Sequence, residues 1–176
     1  MAKEAIKMVG MKYRKAEKAD CKAVYDLICD MEAKLLPVEE FRGIFEAQCD
    51  DPNYYCLLLE ITDADGCCDT AVAEKGKVIG ECNLRFEYQL HHAGRIAEVM
   101  EYAIDAEYRN RGIGSEMLSE AFEIARENGC EQIEVACNQL RKDTHRFYLR
   151  NGMHNFHFKF SYPLTGEDSA ENVLGR

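Results

Sequence analysis

The stretch Ile104-Asp105-Ala106-Glu107-Tyr108-Arg109-Asn110-Arg111-Gly112-Ile113-Gly114-Ser115 decides how the rest of this chain is interpreted. It follows a β-rich apolar segment and leads into apolar residues at helical spacing, which predicts that a strand ends and a helix begins here. Gly112 and Gly114 let backbone N–H groups approach an anion, and the start of a helix adds partial positive charge. Arg109 and Arg111 strengthen that attraction. The spacing fits neither GxxxxGKS/T nor GxGxxG, so it predicts either another kind of anion site or a tight turn with solvated arginines.

The chain around this stretch alternates strand and helix patterns without internal repeats. The patterns predict strands at 11–17, 54–62, 78–88, 95–104, 133–137 and 156–162, and helices at 19–35, 38–48, 112–127 and 141–150. The order β-α-α-β-β-β-α-β-α-β predicts an α/β (α+β) architecture in which helices flank a mixed sheet. Residues 74–77 form a hairpin signal between 70–73 and 78–88. Residues 63–70 have acids at calcium-loop spacing, but Cys68 stands where Gly is required, so a polar extension is predicted.

Length and composition restrict the class of protein. The 176 residues with 47% apolar content fit a single domain, with a core at about 11–162 and a frayed tail after about 165. The 32 acidic against 22 basic residues give a net charge of −10, which argues against nucleic acid and anionic membranes as partners. No apolar run approaches a membrane span and no signal peptide is evident, so a cytoplasmic protein is predicted. Nine cysteines without a C-x-x-C pair predict reduced thiols, most of them in the core.

The motif Arg109-x-x-Gly112-x-Gly114, after a strand and at the start of a helix, resembles the pyrophosphate-binding motif of the GNAT N-acetyltransferase superfamily. The resemblance extends in element order from Tyr13 to about Tyr162. It implies a mostly antiparallel central sheet, acetyl-CoA as cosubstrate and, on family grounds, a homodimer. Two blocks are similar to the aminoalkylphosphonate N-acetyltransferases, which implies a small-molecule amine as acceptor. They are Gln89-Leu90-His91-His92, and His145-Arg146-Phe147-Tyr148-Leu149-Arg150-Asn151-Gly152 with His157-Phe158-Lys159-Phe160.

The resemblance also implies which residues contact acetyl-CoA. Asn138 matches a position whose side chain often bonds the pantetheine arm, although a helix cap is an equal alternative. Backbone N–H groups near the end of the preceding strand would polarise the thioester carbonyl if the strands splay there. The residues assigned to acetyl-CoA are Tyr102, Ala103, Ile104, Arg109, Asn110, Arg111, Gly112, Ile113, Gly114, Ser115 and Asn138.

Acetyl transfer to an amine requires a base for the ammonium, donors for the developing oxyanion and a proton for the departing thiolate. Glu98 and Glu101 are the candidate bases. They lie three residues apart on a strand and therefore point to opposite faces unless a bulge intervenes. Glu98 is favoured, because its distance from the loop is similar to that of the glutamate base in related enzymes; an ion-paired strand residue is the alternative. Tyr148 is the candidate acid, since a phenol and a thiol have similar basicity.

The acceptor site is less well specified. Arg141 and His145 share a helical face with Tyr148, and this basic helix favours an anionic amine such as an aminoalkylphosphonate, although it also fits a solvated face. The net charge favours a cationic acceptor, so an amino acid, amino sugar, aminoglycoside or polyamine stays an alternative. His91 and His92 could border the pocket; on a strand they would point apart, so no metal site is predicted. A non-catalytic acyl-CoA-binding sensor is the alternative of another class.

Overall fold

A computed structural model describes residues 10–62, 74–162 and 164 of the chain. Two short 3-10 turns, Lys18–Asp20 and Ala106–Tyr108, precede the first and third helices. Within the described residues the strands and α-helices follow in the order β1 (Met11–Lys15), α1 (Cys21–Glu32), α2 (Val38–Asp50), β2 (Tyr54–Ile61), β3 (Val78–Gln89), β4 (Gly94–Ile104), α3 (Ile113–Glu127), β5 (Gln132–Val135) and α4 (Lys142–Arg150).

The five strands form one sheet in the order β1-β2-β3-β4-β5. Neighbouring strands are antiparallel except β4 and β5, which are parallel. The predicted mixed, mostly antiparallel sheet with flanking helices is thus confirmed. Apolar side chains of α3 pack on one face of the sheet, whereas those of α1 and α2 pack with Leu58 and Ala103 on the other. The sheet therefore has an α3 face and an α1/α2 face.

Gly80 permits the close packing of α3 on the sheet. A Cβ atom at this position would lie 2.9 Å from Cδ1 of Ile104 and 3.0 Å from Sδ of Met117, both of which are in the core. A larger residue would push the helix away from β3 and β4. This packing fixes where the N-terminus of α3 lies relative to the end of β4, and hence where the loop between them runs.

Several predicted boundaries differ from the structure. The helix predicted at 19–35 begins at Cys21 and ends at Glu32, because Ala33 adopts a left-handed conformation with φ 53°. The strand predicted at 156–162 is wrong: this segment makes no strand pairing within the described residues, and Phe156, Phe158 and Phe160 are exposed. Alternating side chains suit a strand, but a strand also needs a neighbour to satisfy its backbone groups. The polar extension at 63–70 and the hairpin arm at 70–73 lie outside the described residues.

The chain divides into two compact units, Met1–Val135 and Ala136–Arg176, and the single domain predicted from the sequence stays a prediction. No helix in the described residues is long and apolar enough to cross a membrane. The seven described cysteines are free thiols. Only Cys29 and Cys82 among these seven are buried, so the prediction that most lie in the core was wrong. Cys21, Cys49, Cys56 and Cys130 are partly buried against the apolar clusters, and Cys137 is partly buried elsewhere.

Candidate functional site

A β-bulge in β4 shapes the candidate active site. Asn83 of β3 pairs with Glu101, but the next residue, Leu84, pairs with Val99, so Met100 is an extra residue in β4. The extra residue reverses the alternation of side chains beyond it. Glu98 and Glu101 consequently point to the same face of the sheet, although they are three residues apart. The bulge that would be needed to bring both candidate bases to one site is present.

This shared face is the α1/α2 face of the sheet. Glu81 pairs across the sheet with Leu58 and Ala103, which pack beneath α1 and α2. Alternate residues of β3 lie on the same side as Glu81, and Glu134 of β5 is in register with Glu98. The resulting polar row consists of Glu81, Asn83, Arg85 and Glu87 from β3, Glu98 and Glu101 from β4, and Glu134 from β5.

Glu98 is held in an ion pair. Its Oε2 accepts a hydrogen bond from Nη2 of Arg85 at 2.6 Å, and the same guanidinium nitrogen lies 3.0 Å from Glu87. The side chains of Glu98 and Arg85 are 19% and 31% exposed. Charge-assisted hydrogen bonds of this kind fix the orientation of the carboxylate. Glu98 is therefore ion-paired in the structure. This is the alternative that the sequence analysis left open to its role as a base.

Glu101 is partly shielded from solvent. Burial raises the pKa of its carboxyl above the ordinary value, and Glu32 of α1 raises it further. A hydrogen bond from Nδ2 of Asn83 at 2.9 Å opposes that rise by favouring the ionised form. A carboxylate with a raised pKa is suited to proton abstraction near neutral pH.

Glu81 is fully buried beside this pair. Neither of its carboxyl oxygens has a hydrogen-bond partner, and burial, reinforced by Glu101, raises its pKa well above the ordinary value. The nearby N–H of Ala103 opposes the rise only in part. Glu81 is therefore expected to be uncharged at neutral pH, since an isolated buried carboxylate is too costly to keep ionised.

The end of β4 runs past β5. The pairing of these strands ends at Val99 and Val135, whereas β4 continues to Ile104. Asp105 donates its N–H to Ile79 of β3, so the alternation of an antiparallel ladder directs the backbone groups of Ile104 and Tyr102 away from β3 and that of Ala103 towards it. The edge of β4 at Tyr102 and Ile104 therefore has no strand paired to it within the described residues.

The loop after β4 is shaped for main-chain contacts. Asn110 and Gly112 both have positive φ, 63° and 83°, and Gly112 caps α3 without a side chain. The first N–H groups of α3 point out of the start of the helix, although that of Ser115 donates to the Gly112 carbonyl at 2.9 Å. Arg109 donates to the Ile104 carbonyl at 2.8 Å and to Asp30 of α1 at 2.7 Å. Arg111 donates to the Glu107 carbonyl at 2.9 Å, so both arginines also brace the loop.

His91 and His92 lie in the turn between β3 and β4, not on a strand, so the strand geometry used to separate them does not apply. Their ring centroids are 4.2 Å apart, and Nε2 of His92 is 3.7 Å from Glu134 at the edge of the polar row. In the part of the chain that the structure describes, no three His, Cys, Asp or Glu residues are arranged to hold a metal ion.

The remaining predicted residues lie in the second unit. Tyr148 of α4 is buried, and its ring meets that of Phe147 at a centroid distance of 5.2 Å. Asn138 accepts hydrogen bonds at 2.9 Å through Oδ1 from the Leu140 N–H and through its carbonyl oxygen from Nε2 of His145. Arg141 is the N-cap residue of α4. These contacts form a turn ahead of α4, and the helix-cap alternative for Asn138 was wrong, because Arg141 holds the N-cap position.

Sequence reasoning missed Gln48, Glu81, Asn83 and Arg85. Three of these lie at alternate positions of β3, where the polar residues Glu81, Asn83, Arg85 and Glu87 alternate with apolar ones. That alternation indicates a polar face and could have been noticed. The contribution of Gln48 from α2 had no sequence signal, because it depends on how that helix lies against the sheet.

Comparison with known proteins gives the class of protein. A solved structure described as a GNAT family acetyltransferase from Staphylococcus aureus matches with a TM-score of 0.69 and 16% identity, covering 89% of this chain and 100% of the other, which shows the same fold. The sequence profile of the acetyltransferase (GNAT) family matches residues 23–153. The chain therefore belongs to this family, and it is an N-acetyltransferase that uses acetyl-CoA as cosubstrate.

Two known acetyltransferases are similar in sequence to most of this chain. The chain is 37% identical over 152 residues to the aminoalkylphosphonate N-acetyltransferase of Salmonella typhimurium, which covers 86% of this chain and 90% of that protein. It is 28% identical over 150 residues to the thialysine N-epsilon-acetyltransferase of Bos taurus, covering 82% and 85%. The similarity to aminoalkylphosphonate N-acetyltransferases that the sequence indicated is therefore confirmed.

Proposed function

We propose that this N-acetyltransferase acts on the primary amine of a small molecule and that Glu101 is its catalytic base. The observation that carries the proposal is the bulge at Met100, which turns Glu101 onto the face of Glu98 while leaving it partly buried. Glu98 is already paired with Arg85, and we assign it to shaping the charge of the site. Proton transfer by a positioned base contributes about 10²–10⁴-fold to such reactions.

The loop between β4 and α3 fits an anionic diphosphate. Left-handed Asn110 and Gly112 leave the main chain open to approach, and the first N–H groups of α3 are donors without a capping side chain. Arg109 and Arg111 add positive charge to the same loop. Acetyl-CoA would supply the acetyl thioester, and the N–H groups of Tyr102 and Ile104 are directed to the side where its carbonyl would be polarised. We propose the residues from Arg109 to Ser115 as its contacts, with Asn138 as a further one.

Tyr148 is proposed as the acid that returns a proton to the thiolate. Its place on α4 is the one implied by the resemblance to the family, and its burial suits a side chain that acts away from bulk water. The expected consequence is a loss of turnover in Tyr148→Phe, by about 10-fold or more. Tyr55→Phe is the matched control, because Tyr55 lies in β2 on the α3 face and has no assigned role.

We propose an aminoalkylphosphonate as the acceptor. The 37% identical relative carries that name, and α4 brings Arg141, His145 and further basic residues to the unit that contains Tyr148. A second candidate is a cationic aminoalkyl amino acid of the thialysine type. The row of carboxylates on the α1/α2 face favours it, since such a row attracts a second ammonium group. A cytoplasmic location and a homodimer stay predictions.

The experiment is release of free coenzyme A thiol with a panel of amines: aminoethylphosphonate, thialysine, glucosamine 6-phosphate, spermidine and free amino acids. We expect aminoethylphosphonate to give the highest kcat/KM. We also expect Glu101→Gln to lower kcat by about 100-fold or more, and Glu98→Gln by much less. Equal losses in both variants would contradict the choice of Glu101. Binding of coenzyme A without turnover of any amine would favour a non-catalytic sensor.

A further inference from the structure

Asn83 joins three elements through one amide group. It lies in β3 and is 7% exposed. Its Nδ2 donates to Oε2 of Glu101 on β4 and to Oε1 of Gln48 on α2, each at 2.9 Å. An ionised Glu101 carboxylate can only accept, so Nδ2 of Asn83 has to face it, and the Gln48 amide turns its oxygen to the same nitrogen. The reversed Asn83 amide would place its oxygen against the Glu101 carboxylate and would be repelled.

The oxygen of the same amide supports this orientation of the Asn83 side chain. Oδ1 of Asn83 is buried and has no hydrogen-bond partner. Burial of an unsatisfied acceptor is unfavourable and is rare in folded proteins. The amide therefore keeps an unsatisfied oxygen in order to present its two N–H groups to Gln48 and Glu101.

We propose that Asn83 is a positioning residue for the Glu101 carboxylate and that Gln48 in turn anchors Asn83 from α2. The inference rests on Glu101 as the base. The chain of contacts means that α2 holds the base in its orientation and in its ionised form through a neutral intermediary. Asn83 makes no contact with the reacting atoms in this role.

The ionisable groups around Glu101 explain why the hydrogen bond donated by Asn83 matters for the charge of Glu101. Glu32 of α1 and Glu81 of β3 are acids, and Cys56 of β2 and Cys82 of β3 are thiols that interact with the same carboxyl. Glu32 raises the pKa of Glu101, and Glu101 in turn raises the pKa values of Glu81, Cys56 and Cys82. None of these four groups stabilises a negative charge on Glu101. The N–H donated by Asn83 acts in the opposite sense and lowers the pKa of Glu101.

The test is the pH profile of kcat/KM in Asn83→Leu, which has a similar volume and no donor, and in Gln48→Ala. Activity requires ionised Glu101, so it falls as the pH falls through the pKa of this group. Loss of the donor should move the acid limb upward by about one pH unit in Asn83→Leu and by less in Gln48→Ala. The KM for acetyl-CoA should change less than about twofold, because Asn83 contacts the base and not the cosubstrate.

Asn128→Asp is the matched control. The Asn128 amide also donates through Nδ2, to the Ile124 carbonyl at 2.8 Å at the end of α3, so the change removes one amide donor far from Glu101. It should lower thermal stability and leave the pH profile unchanged. If Asn83→Leu fails to fold, Gln48→Ala carries the test, since Gln48 is only half-buried.

A direct titration separates this inference from the proposed function. The Glu101 carboxyl is followed by ¹³C NMR in protein labelled at the glutamate side chain, in wild type and in both variants. An upward shift in the variants supports positioning whether or not an amine is turned over. An unshifted Glu101 titration in both variants, together with a loss of turnover in Glu101→Gln, overturns the inference and leaves the proposed base standing. Full activity in Glu101→Gln overturns the proposed base alone.

Discussion

Glu81 has the most unfavourable electrostatic position among the described acids. It is completely buried without a hydrogen-bond partner, and its pKa is raised well above the ordinary value by burial and by Glu101. The unfolded chain releases this proton near its ordinary pKa, whereas the folded chain retains it. The free energy of unfolding is therefore lowered progressively as the pH rises from the unfolded pKa towards the folded one.

We predict that Glu81→Gln stabilises the protein at neutral pH. Glutamine matches the neutral acid in shape and cannot ionise, so it should raise the free energy of unfolding by about 1 kcal/mol or more. The gain should shrink towards zero as the pH approaches the ordinary pKa of a glutamate. Urea unfolding followed by circular dichroism at several pH values measures this.

The control for Glu81 is Glu60→Gln, which should show the opposite behaviour. Arg14 donates to Glu60 at 2.5 Å, and this hydrogen bond, assisted by Lys12, lowers the pKa of the carboxyl. A lowered pKa stabilises the fold above the unfolded pKa, and this stabilisation is lost as the pH falls through the folded pKa. The variant should therefore lose stability at neutral pH and little in acid. A pH-independent effect in Glu81→Gln would contradict its assignment as a neutral buried acid.

At the level of single elements, the start of α3 requires a residue that can adopt positive φ. Gly112 has φ 83°, which suits glycine and strains other residues, and a Cβ atom there would meet nothing within 4 Å. A residue other than glycine at position 112 would strain the backbone, but its side chain would not clash with neighbouring protein atoms. This open space would leave the helix N-terminus accessible to the diphosphate of the proposed site.

We predict that Gly112→Ala destabilises the fold by about 1 kcal/mol and raises the KM for acetyl-CoA severalfold. The methyl group would occupy the approach to the first N–H groups of α3. Gly43→Ala is the matched control: Gly43 lies within α2 with open space around it, so alanine should stabilise by about 0.5–1 kcal/mol and leave this KM unchanged. Equal KM values in the two variants would contradict the diphosphate site.

The molecule as a whole carries a net charge of −10, and this charge acts on any amine that approaches. Dissolved salt screens such long-range attraction, since the Debye length falls from about 30 Å at 0.01 M to about 10 Å at 0.1 M ionic strength. A cationic acceptor gains from the field of the protein and loses that gain in salt. An aminoalkylphosphonate carries both signs of charge and gains little.

We predict that kcat/KM for aminoethylphosphonate changes less than about twofold between 0.02 M and 0.2 M ionic strength, whereas kcat/KM for a polycation such as spermidine falls severalfold. Initial rates at subsaturating amine and saturating acetyl-CoA measure both. A steep fall with the phosphonate would show that its ammonium group dominates the approach, and would favour the cationic class of acceptor.

The sequence predicted most of the elements because their signals are local. The apolar spacing after Gly112 predicted a helix over 112–127, and the structure has α3 at Ile113–Glu127 with Gly112 as its N-cap. The alternation at 156–162 is just as local, and it predicted a strand that does not pair. The difference is that a helix satisfies its backbone groups within itself, whereas a strand needs a partner that the alternation cannot supply.

The candidate site was only partly predictable for the same reason. Glu98 and Glu101 were recognised as acids on one strand, but the extra residue at Met100 put them on one face, and it is visible only in the register between β3 and β4. The burial of Glu81 and the link from Gln48 through Asn83 depend on α2 packing over the sheet. Glu98 gained Arg85 as a partner from the neighbouring strand.

Residue chemistry along the chain determined the succession of strands and helices, the glycine-started helix after β4 and the kinship with acetyltransferases, because each depends on neighbours a few positions apart. Only the tertiary structure decided which carboxylate is dry, which is ion-paired and which is neutral. Those properties come from solvent exclusion and from charges brought together by residues distant in sequence, and no local pattern encodes them.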